Sequence, residues 1–491
     1  MTQEKSLIKK FRTKDKNYIY DATSNNIFLV NKTIFNNFEV FSEIKSKDEL
    51  KKKNFLNKSE VEEEYDKYKK KVNEGYFSYK RPVISFSINS VSDIQKELDS
   101  GLKQLILELT ENCNFRCKYC VYSGKYKKTR VHKKKDMSFS TLKKAIDFFI
   151  QRSDKNKRGG SCIGFYGGEP LLKFDLIKKA IEYVSCKNIR FTITTNGSLL
   201  NREIINYFIK NNVSITLSLD GPEIIHDRYR VYPDGSGTFK QIFKNILLIN
   251  EIDKNFFKNK VLFNIVIAPP YNFTEIVDFF YRNQEIDFGP NKINISPVDS
   301  YQTSFFKDMN LEDHKYMKLK LLNTFFNKYK YSLIKDEHDQ LNIEKILFDK
   351  DFYIIKSREM GFLGEKYPPQ GMCFPGKRRL FVNTDGKFFM CERTGNNFEI
   401  GDIEHGFYYK LIYNFLISYE EFFRECKDCW AIRLCDKCFN SVRNGENLDK
   451  ERKEEFCEIK KLNVERNLIA FCEIIEKNPN AFDHLNNFKL M

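Results

Sequence analysis

The chain lacks several features that would assign it to common protein classes. None of its 491 residues lie in an apolar run close to the roughly 18 residues that a membrane-spanning helix needs. The opening sequence MTQEKSLIKK has no apolar core of a signal peptide. The six histidines form no His-x-x-His or His-Glu-x-x-His pair, so the helical zinc motif of metalloproteases is excluded. We therefore expect a cytoplasmic protein with no membrane partner.

The composition predicts a folded protein of two to four domains. Hydrophobic residues make up 41% of the chain, and the charged residues are interspersed among them, so extended disorder is not expected. The net charge of +16 is spread over lysine-rich patches, such as 125–135 and the first sixteen residues. Such patches suit a solvated surface, an acidic peptide or a nucleic acid. We favour a solvated surface and do not expect a nucleic-acid partner.

Cysteine is abundant, and most of it is grouped. Ten of the 13 cysteines fall into two groups, and in a large cytoplasmic chain such groups indicate metal binding or catalysis rather than disulfides. The first group is Cys113, Cys117 and Cys120; the second is Cys373, Cys391, Cys426, Cys429, Cys435, Cys438 and Cys457. We predict that Cys162, Cys186 and Cys472 are small buried apolar residues.

From about residue 100, β-prone runs alternate with amphipathic helical stretches. The predicted strands are Leu105–Leu109, Cys162–Tyr166, Arg190–Thr195, Ser214–Leu219, Val261–Ile267 and Lys292–Ser296. The predicted helices are Ser140–Ile150, Phe174–Val184, Arg202–Lys210, Phe239–Asn250 and Phe273–Arg282. Six such repeats predict an α/β fold, a partial (β/α)6 barrel, with the chemistry at the carboxyl ends of its strands.

Three further regions flank this barrel, which we place at residues 96–300. In residues 1–95, Asn17–Tyr20 and Asn26–Val30 predict a β-hairpin, Asn31 a helix N-cap and Ser59 a second N-cap. Residues 301–365 predict a helical bridge, with helices over Leu311–Lys330 and Asn342–Lys350. Residues 366–478 predict a loop-rich, cysteine-rich domain.

The first cysteine group follows the first barrel strand directly. Three thiolates can hold three irons of a cubane cluster and leave the fourth iron open, whereas a structural zinc site needs four ligands. The spacing Cys113-x3-Cys117-x2-Cys120 resembles that of the radical S-adenosylmethionine (radical SAM) enzymes. The resemblance implies a [4Fe-4S] cluster that cleaves SAM to a 5′-deoxyadenosyl radical, with Tyr119 near the adenine.

Motifs at the ends of the next strands agree with this resemblance. Gly167, Gly168 and Glu169 match the family's segment that binds the SAM amino group. The resemblance also implies that Asn196, Ser198, Ser218 and Asp220 bind SAM, and that Arg230, or else Arg228, meets its carboxylate. His226 is more simply interpreted as a capping or packing residue.

The second cysteine group resembles the SPASM extension of radical SAM enzymes, which carries two auxiliary [4Fe-4S] clusters. By position, Cys426, Cys429, Cys435 and Cys457 would hold the outer cluster, and Cys373, Cys391 and Cys438 the inner one. The inner cluster would then keep an open iron or take another ligand. Two residues separate Cys435 from Cys438, where the family has three. A zinc ribbon remains an alternative, and Glu392 is either a catalytic base or a salt-bridged group.

These resemblances imply an oxidoreductase that modifies a peptide. We expect three [4Fe-4S] clusters, SAM, a reducing partner such as flavodoxin or ferredoxin, and a ribosomally made precursor peptide that receives a thioether of the sactipeptide or ranthipeptide type. Residues 1–95 resemble the winged-helix-like leader-peptide recognition element of such maturases; a structural extension is the alternative. Anaerobic sulfatase maturation, carbon–carbon coupling of peptides and an iron–sulfur sensor are the other functions considered.

Overall fold

The computed structural model describes residues 5–55, 57–127, 129–153, 160–184, 188–283, 286, 288, 292–299, 302–337, 343–369, 371, 373–394, 397–445 and 447–488. Cys186 and Asn342 lie outside these residues, so the predictions that fall on them are not addressed. Cys162 and Cys472 are buried, as predicted. Within the described ranges, no helix combines the length and the apolar character needed to cross a bilayer.

The N-terminal part forms a small sheet followed by three helices. Its elements are β1 (Ile8–Arg12), β2 (Asn17–Asp21), β3 (Asn26–Val30), α1 (Lys32–Glu43), α2 (Lys47–Lys51) and α3 (Lys58–Asn73). The sheet is antiparallel in the order β1-β2-β3, so the predicted hairpin is confirmed. β1 was not predicted, because three of the five residues in IKKFR are basic and hide its strand character.

The two predicted N-caps have different outcomes. Asn31 caps α1 as predicted, since its side chain accepts a hydrogen bond from the Ile34 N–H at 2.9 Å. The prediction for Ser59 is wrong, because α3 begins at Lys58 and Asn57 is its N-cap residue. The Asn57 amide donates to Glu60 at 2.9 Å, which fixes the first turn two residues earlier than the serine suggested.

The middle of the chain alternates strands and helices. Its elements are β4 (Val83–Ile84), α4 (Val91–Leu98), β5 (Gln104–Thr110), α5 (Phe139–Arg152), β6 (Ser161–Gly167), α6 (Phe174–Tyr183), β7 (Ile189–Thr195), α7 (Arg202–Lys210), β8 (Val213–Ser218), α8 (Glu223–Tyr229), α9 (Phe239–Ile252), α10 (Lys254–Lys260), β9 (Val261–Ile267), α11 (Phe273–Tyr281) and β10 (Ile293–Pro297). Strands β5 to β10 are parallel neighbours in chain order. The predicted six-stranded partial barrel is confirmed.

The alternation of side chains along β5 explains how the barrel is held. Leu105, Leu107 and Leu109 are fully buried in the main core, and burial of each contributes about 1.5–3 kcal/mol. Ile106 belongs to a separate small cluster on the other face, and Glu108 follows it on that face. The outer face therefore stabilises the fold, and the inner face is left free to carry polar groups.

The C-terminal part completes the sheet of the barrel. Its elements are α12 (Leu311–Ile334), α13 (Ile343–Lys356), β11 (Lys366–Tyr367), β12 (Arg379–Val382), β13 (Lys387–Phe389), β14 (Glu399–Asp402), β15 (Gly406–Phe407), α14 (Tyr409–Phe422), β16 (Arg443–Asn444), β17 (Asn447–Leu448) and α15 (Lys450–Lys477). β12 pairs in parallel with β5, and β13 to β15 extend the sheet to ten strands. The prediction of a loop-rich region is therefore only partly right, since a hairpin sheet and a 28-residue helix frame the cysteines.

The N-terminal sheet packs against the last long helix. The hydroxyls of Thr13 and Tyr18 both donate to Glu476 on α15, at 2.8 and 2.9 Å. Lys9 pairs with Glu465 on the same helix at 2.7 Å. The first and last parts of the chain therefore meet on α15.

Candidate active site

Three thiols lie on the loop that follows β5. The loop is tied to the end of α8, because the Arg116 N–H donates to Val231 and the Lys118 N–H donates to Tyr229, both at 2.8 Å. Backbone N–H groups also point at sulfur: those of Phe115 and Tyr122 lie 3.4 Å from Cys113 Sγ and Cys120 Sγ. Such N–H groups favour the thiolate form, which is the form that binds metal.

Burial opposes ionisation of these thiols in the metal-free chain. It raises the pKa of Cys113 and of Cys117 to about 12, and neighbouring negative groups add to the effect at Cys113. Because ligands must be deprotonated, binding of a cationic cluster would release these protons. The loop thus suits iron rather than a free nucleophilic cysteine.

The donor geometry suits a polynuclear cluster better than a single ion. Among the described residues, no three Cys, His, Asp or Glu side chains converge as ligands of one metal ion do. In a cubane each cysteine binds a different iron, so the three thiols need not converge. The residues present therefore fit a [4Fe-4S] cluster at this loop.

The two glycines at the end of β6 allow the strand ends to pack closely. The Gly168 N–H donates to Thr110 at 2.8 Å, and a Cβ on Gly168 would lie 2.0 Å from the Asn112 carbonyl oxygen. A Cβ on Gly167 would lie 2.4 Å from the Thr110 oxygen, and its φ of +140° favours glycine. Both glycines were predicted to bind SAM; in the structure they approach the backbone at the end of β5 and at the start of the cysteine loop.

Glu169 joins the ends of β6 and β7. Its buried carboxylate accepts from the Thr195 hydroxyl at 2.6 Å, the Asn196 N–H at 2.8 Å and the Leu171 N–H at 3.0 Å. Burial raises the pKa of Glu169 to about 7, and these hydrogen bonds oppose the rise. The carboxylate is therefore held rigidly at the strand ends, where it can accept a hydrogen bond from an ammonium group of a ligand.

A side-chain amide that the sequence analysis did not single out completes this corner. Asn114 accepts from Asn196 Nδ2 and donates to Ser198 Oγ, both at 2.9 Å. Ser198 in turn donates to Asn196 Oδ1 at 2.7 Å. Asn114 is the only amide between Cys113 and Cys117, and that position was the available signal. The triangle locks the cysteine loop to β7.

Tyr119, Asp220 and Arg230 form a buried network beside Cys117. Arg230 Nε donates to Asp220 Oδ2 at 2.9 Å, and the Tyr119 hydroxyl donates to the same oxygen. The Val266 N–H donates to Asp220 Oδ1 at 2.9 Å. Asp220 and Arg230 therefore form an ion pair with each other. This pairing was not expected when each was predicted separately to bind SAM. The other guanidinium donors of Arg230 can still serve a ligand.

His226 contacts the backbone of this network, whereas Arg228 has a different partner. His226 is fully buried; its Nδ1 accepts from the Asp220 N–H at 3.3 Å, and its Nε2 lies 3.1 Å from the Thr238 hydroxyl. That hydroxyl donates to the Arg230 carbonyl, so Nε2 carries the proton and the ring is neutral. Arg228 donates to Asn272 instead. His226 thus has the packing role predicted for it.

The interior of the barrel carries groups that the sequence analysis did not identify. Burial raises the pKa of Tyr166 on β6. The nearby negative charges of Glu392, Cys120 and Glu108 raise it further. Glu392 is ion-paired with Arg379, at 3.2 and 3.3 Å from its two oxygens. Tyr166 is thus near both Cys120 of the first cysteine loop and Glu392, the residue that follows Cys391.

A second buried ion pair lies on β5. Arg130 binds Oε1 of Glu108, while Oε2 has no hydrogen-bond partner among the described residues. Burial raises the pKa of Glu108 to about 6 although Arg130 opposes the rise. Arg130 also stacks on Tyr122, 3.6 Å from the ring centre. Arg130 lies in the lysine-rich patch that was predicted to be solvated, so that prediction is wrong for this residue.

Ser218 ends β8, opposite Asn264 on β9. Asn264 accepts a hydrogen bond from the Asn294 amide on β10 at 3.1 Å. Two residues after Ser218 the chain reaches Asp220, so the polar ends of β8, β9 and β10 meet at the same edge as the cysteine loop.

Four cysteines of the second group share one cavity. Cys426, Cys429, Cys435 and Cys457 line it together with Phe423 and Lys437, and they are the four predicted for the outer cluster. Lys437 Nζ is buried 4.0 Å from Cys457 Sγ and 3.7 Å from the Phe423 ring centre. A buried ammonium beside four thiols suits an anionic iron–sulfur cluster.

The remaining three cysteines lie next to this cavity. Burial is the main cause of the raised pKa of Cys391, and the charge of Cys438 raises it further. These two thiols are therefore close to each other. Cys373 is exposed, but a Cβ on Gly371, two residues earlier, would lie 1.7 Å from the Lys437 oxygen. The segment that carries Cys373 therefore runs alongside the Lys437-Cys438 backbone.

Comparisons with known proteins agree with this geometry. The family model of the Radical SAM superfamily matches residues 107–280. The cysteine-type anaerobic sulfatase-maturating enzyme of Clostridium novyi is 26% identical over 386 residues, which are 75% of this chain and 96% of that protein. The uncharacterized protein MJ0907 of Methanocaldococcus jannaschii is 30% identical over 262 residues, which are 51% of this chain and 83% of that protein.

A solved structure shares the fold. "Native anSMEcpe with bound AdoMet" superposes with a TM-score of 0.53 at 18% identity, over 78% of this chain and 100% of that chain. The family match runs from β5 to α11, so it contains the cysteine loop and the motifs that end β6, β7 and β8. The chain belongs to the radical SAM superfamily.

Proposed function

We propose that the chain is a peptide maturase that installs a thioether, from a cysteine sulfur to a carbon atom, in a ribosomally made precursor peptide. One observation carries this proposal: Tyr166 is close both to Cys120 of the first cysteine loop and to Glu392, and the β12–β13 hairpin that leads to Cys391 pairs with β5. A peptide bound there would contact both. Thioether formation removes two electrons from the peptide. One would leave with the hydrogen atom, and clusters held by the seven C-terminal cysteines would accept the other.

Particular residues would hold the groups that this chemistry needs. Bound to Cys113, Cys117 and Cys120, a [4Fe-4S] cluster with SAM would supply the 5′-deoxyadenosyl radical that removes a hydrogen atom from the peptide, while auxiliary clusters would take up the remaining electron. Glu169, Asn196, Ser198, Ser218, Asp220, Arg230 and Tyr119 would orient SAM at the strand ends.

The auxiliary clusters would use the second cysteine group. Cys426, Cys429, Cys435 and Cys457 would hold the outer one, and Cys373, Cys391 and Cys438 the inner one. Seven thiolates leave one iron of two cubanes without a cysteine, and that iron would be available to a peptide thiolate.

We assign the proton of the peptide thiol to Glu392. The peptide would lose a C–H and an S–H bond and gain a C–S bond. The Glu392 carboxylate would take the proton, SAM bound at the first loop would supply the radical that takes the hydrogen atom, and a cluster held by Cys373, Cys391 and Cys438 would supply the acceptor for the remaining electron. Arg379 orients the carboxylate through contacts to both of its oxygens. Tyr166 packs against the buried apolar cluster of Ile106, Phe381 and Phe389, which would keep water away from this site.

Residues 1–95 are proposed to recognise the leader of the precursor. A groove of about 960 Å³ runs between β1 and the helices α1 and α3. Five lysines and two glutamates line it: Lys5, Lys9, Lys10, Lys45, Lys69, Glu39 and Glu43. Among the described strands β1 pairs with β2 alone, so an extended peptide can add to its other edge. The excess of positive charge suits an acidic leader.

The second candidate is an anaerobic sulfatase-maturating enzyme, which would oxidise a cysteine or serine to formylglycine. The relative of that name in Clostridium novyi is matched over 96% of its length, which favours this reading. The same match leaves a quarter of this chain without a counterpart. The additional length favours a maturase with its own recognition element.

The experiment is anaerobic reconstitution followed by a SAM-cleavage assay and mass spectrometry of two peptides. A cysteine-rich precursor encoded beside this gene should lose two hydrogens, whereas a sulfatase-derived peptide should be unchanged. Conversion of the sulfatase peptide alone, with sulfur exchanged for oxygen, would establish the second candidate instead.

Cysteine variants separate SAM cleavage from product formation. Cys117→Ala should abolish 5′-deoxyadenosine, and Cys429→Ala should retain part of it while losing the cross-linked peptide. Cys472→Ala, which removes a buried cysteine outside both groups, is the control and should retain both. Cleavage of SAM by Cys117→Ala would contradict the assignment of the loop.

A further inference from the structure

Tyr419 on α14 lies between the two sets of C-terminal cysteines. Its ring is fully buried, with the ring centre 4.5 Å from that of Phe423, which lines the four-cysteine cavity. On another side its ring centre is 6.1 Å from that of Phe439, the residue next to Cys438. The tyrosine therefore bridges the proposed outer and inner cluster positions.

The hydroxyl of this tyrosine has no hydrogen-bond partner among the described residues. A buried hydroxyl without a partner is destabilising, and phenylalanine would fill the same space without that cost. Burial raises the pKa of Tyr419, and the thiols of Cys438, Cys426 and Cys435 are close enough for their charges to raise it further. The polar surroundings of this hydroxyl are thus the proposed ligands of the auxiliary clusters.

We infer that the Tyr419 hydroxyl donates a hydrogen bond to a sulfur atom of an auxiliary cluster and sets the reduction potential of that cluster. The inference rests on the auxiliary clusters of the proposed function. Tyr419 is a positioning and tuning residue, since it touches neither SAM nor the peptide. The cluster would supply its partner, which explains why the hydroxyl has none among the described residues.

The physical effect has a definite sign. A donor that points at a cluster sulfur stabilises the more negative, reduced state, and hydrogen bonds to sulfur are among the factors that set these potentials. Removal of the donor should therefore shift the midpoint potential to a more negative value. Because Tyr419 lies between both cysteine sets, this one residue would change the difference in reduction potential between the two clusters.

The test compares two tyrosines whose hydroxyls are both buried and have no hydrogen-bond partner among the residues that the structure describes. Tyr281 on α11 is the matched control: its hydroxyl also lacks a partner among the described residues, and it lies near Glu344. Tyr419→Phe and Tyr281→Phe are prepared with all clusters loaded, in a background in which Cys113, Cys117 and Cys120 are replaced by Ala. EPR-monitored titration then reports the auxiliary clusters alone.

Tyr419→Phe should retain the iron of the parent and shift one auxiliary midpoint potential to a more negative value. Tyr281→Phe should leave both potentials unchanged. The melting temperatures should move in opposite directions: Tyr281→Phe gains stability because it removes an unpaired hydroxyl, and Tyr419→Phe loses stability because it removes a hydrogen bond to the cluster.

Two results would overturn the inference, and they differ in their meaning. Unmoved potentials with iron content unchanged, together with a stability gain in Tyr419→Phe, would show that the hydroxyl is simply unpaired; the proposed function would stand. Absence of auxiliary clusters in the parent itself would remove both this inference and the cluster assignment of the second cysteine group.

Discussion

Arg228 and Arg230 are two positions apart but occupy different environments. Arg230 is buried and pairs with Asp220, whereas Arg228 is half-buried and donates to the Asn272 amide. We predict that Arg230→Met destabilises the protein by about 3–5 kcal/mol, because it leaves a buried carboxylate without its cation. Arg228→Met should cost about 1 kcal/mol, the net value of one hydrogen bond.

Chemical denaturation of the two variants measures this difference. Isothermal titration with SAM should show a weaker complex for Arg230→Met and an unchanged one for Arg228→Met. Equal effects of the two substitutions would contradict the placement of Asp220 and Arg230 in one buried pair.

His226 gives the stability of the barrel a pH dependence. Burial lowers the pKa of His226 to about 3, while an unfolded histidine titrates near 6.5. Below about pH 6.5 the unfolded state therefore takes up a proton that the folded state does not, and stability falls as the pH falls. The loss between pH 7.5 and 5.5 is about 1.4 kcal/mol.

Urea midpoints at these two pH values, for the parent and for His226→Asn, measure this contribution. The asparagine can still accept from the Asp220 N–H but does not titrate, so the variant should be less stable at pH 7.5 and less sensitive to pH. A variant with the full pH slope of the parent would show that other groups produce it.

At the level of single residues, the sequence showed which residues belong to the site better than it showed which of them pair with each other. Asp220 and Arg230 were both singled out as SAM ligands, but nothing in the spacing of the two showed that they pair with each other. Glu108 and Arg130 were missed for the opposite reason: an acid inside an apolar strand and an arginine inside a lysine-rich stretch are each unremarkable until the fold brings them together.

Among the elements, the turn after β6 sets the position of the cysteine loop. A methyl group on Gly168 would collide with the Asn112 carbonyl oxygen, at 2.0 Å, so the loop would have to move. We predict that Gly168→Ala loses the cluster of this loop, about four of the twelve irons that the three proposed clusters would hold, and cannot cleave SAM.

Iron analysis and EPR spectra of the reconstituted protein check this prediction. Gly364→Ala is the matched control, because among the described residues a Cβ there meets only the Lys366 carbonyl oxygen, at an ordinary 3.6 Å. Full iron content and SAM cleavage in Gly168→Ala would show that the loop tolerates displacement.

The elements of the barrel were predictable because each strand has a continuous apolar outer face and is followed by an amphipathic helix. The C-terminal sheet was harder to predict. β12 and β13 are four and three residues long, joined by the turn Asn383–Gly386, and so short a hairpin has little periodicity. Its partner β5 lies 275 residues earlier in the chain, which no local pattern reveals.

On the scale of the whole molecule, the N-terminal sheet packs against α15 of the cysteine-rich region, and the groove beside β1 has an excess of positive charge. We predict that Lys45→Glu with Lys69→Glu weakens binding of the precursor peptide at least tenfold, because both lysines line the groove beside β1 and each reversal places a negative charge against an acidic leader. The effect should shrink at high salt.

Fluorescence anisotropy with a labelled precursor peptide measures this affinity. Lys258→Glu on α10, an exposed lysine on the barrel, changes the net charge without touching the groove and should bind as the parent does. An equal loss of affinity in this control would assign the effect to overall charge rather than to the groove.

The pairing of β12 with β5 has a consequence for the way in which the chain is made. The strand that carries the radical cluster loop emerges from the ribosome early, but its second neighbour is synthesised only after residue 379. Until then β5 exposes an open edge, which is an aggregation hazard in a nascent chain. We therefore expect iron to be inserted late, after β12 has closed this edge of the sheet.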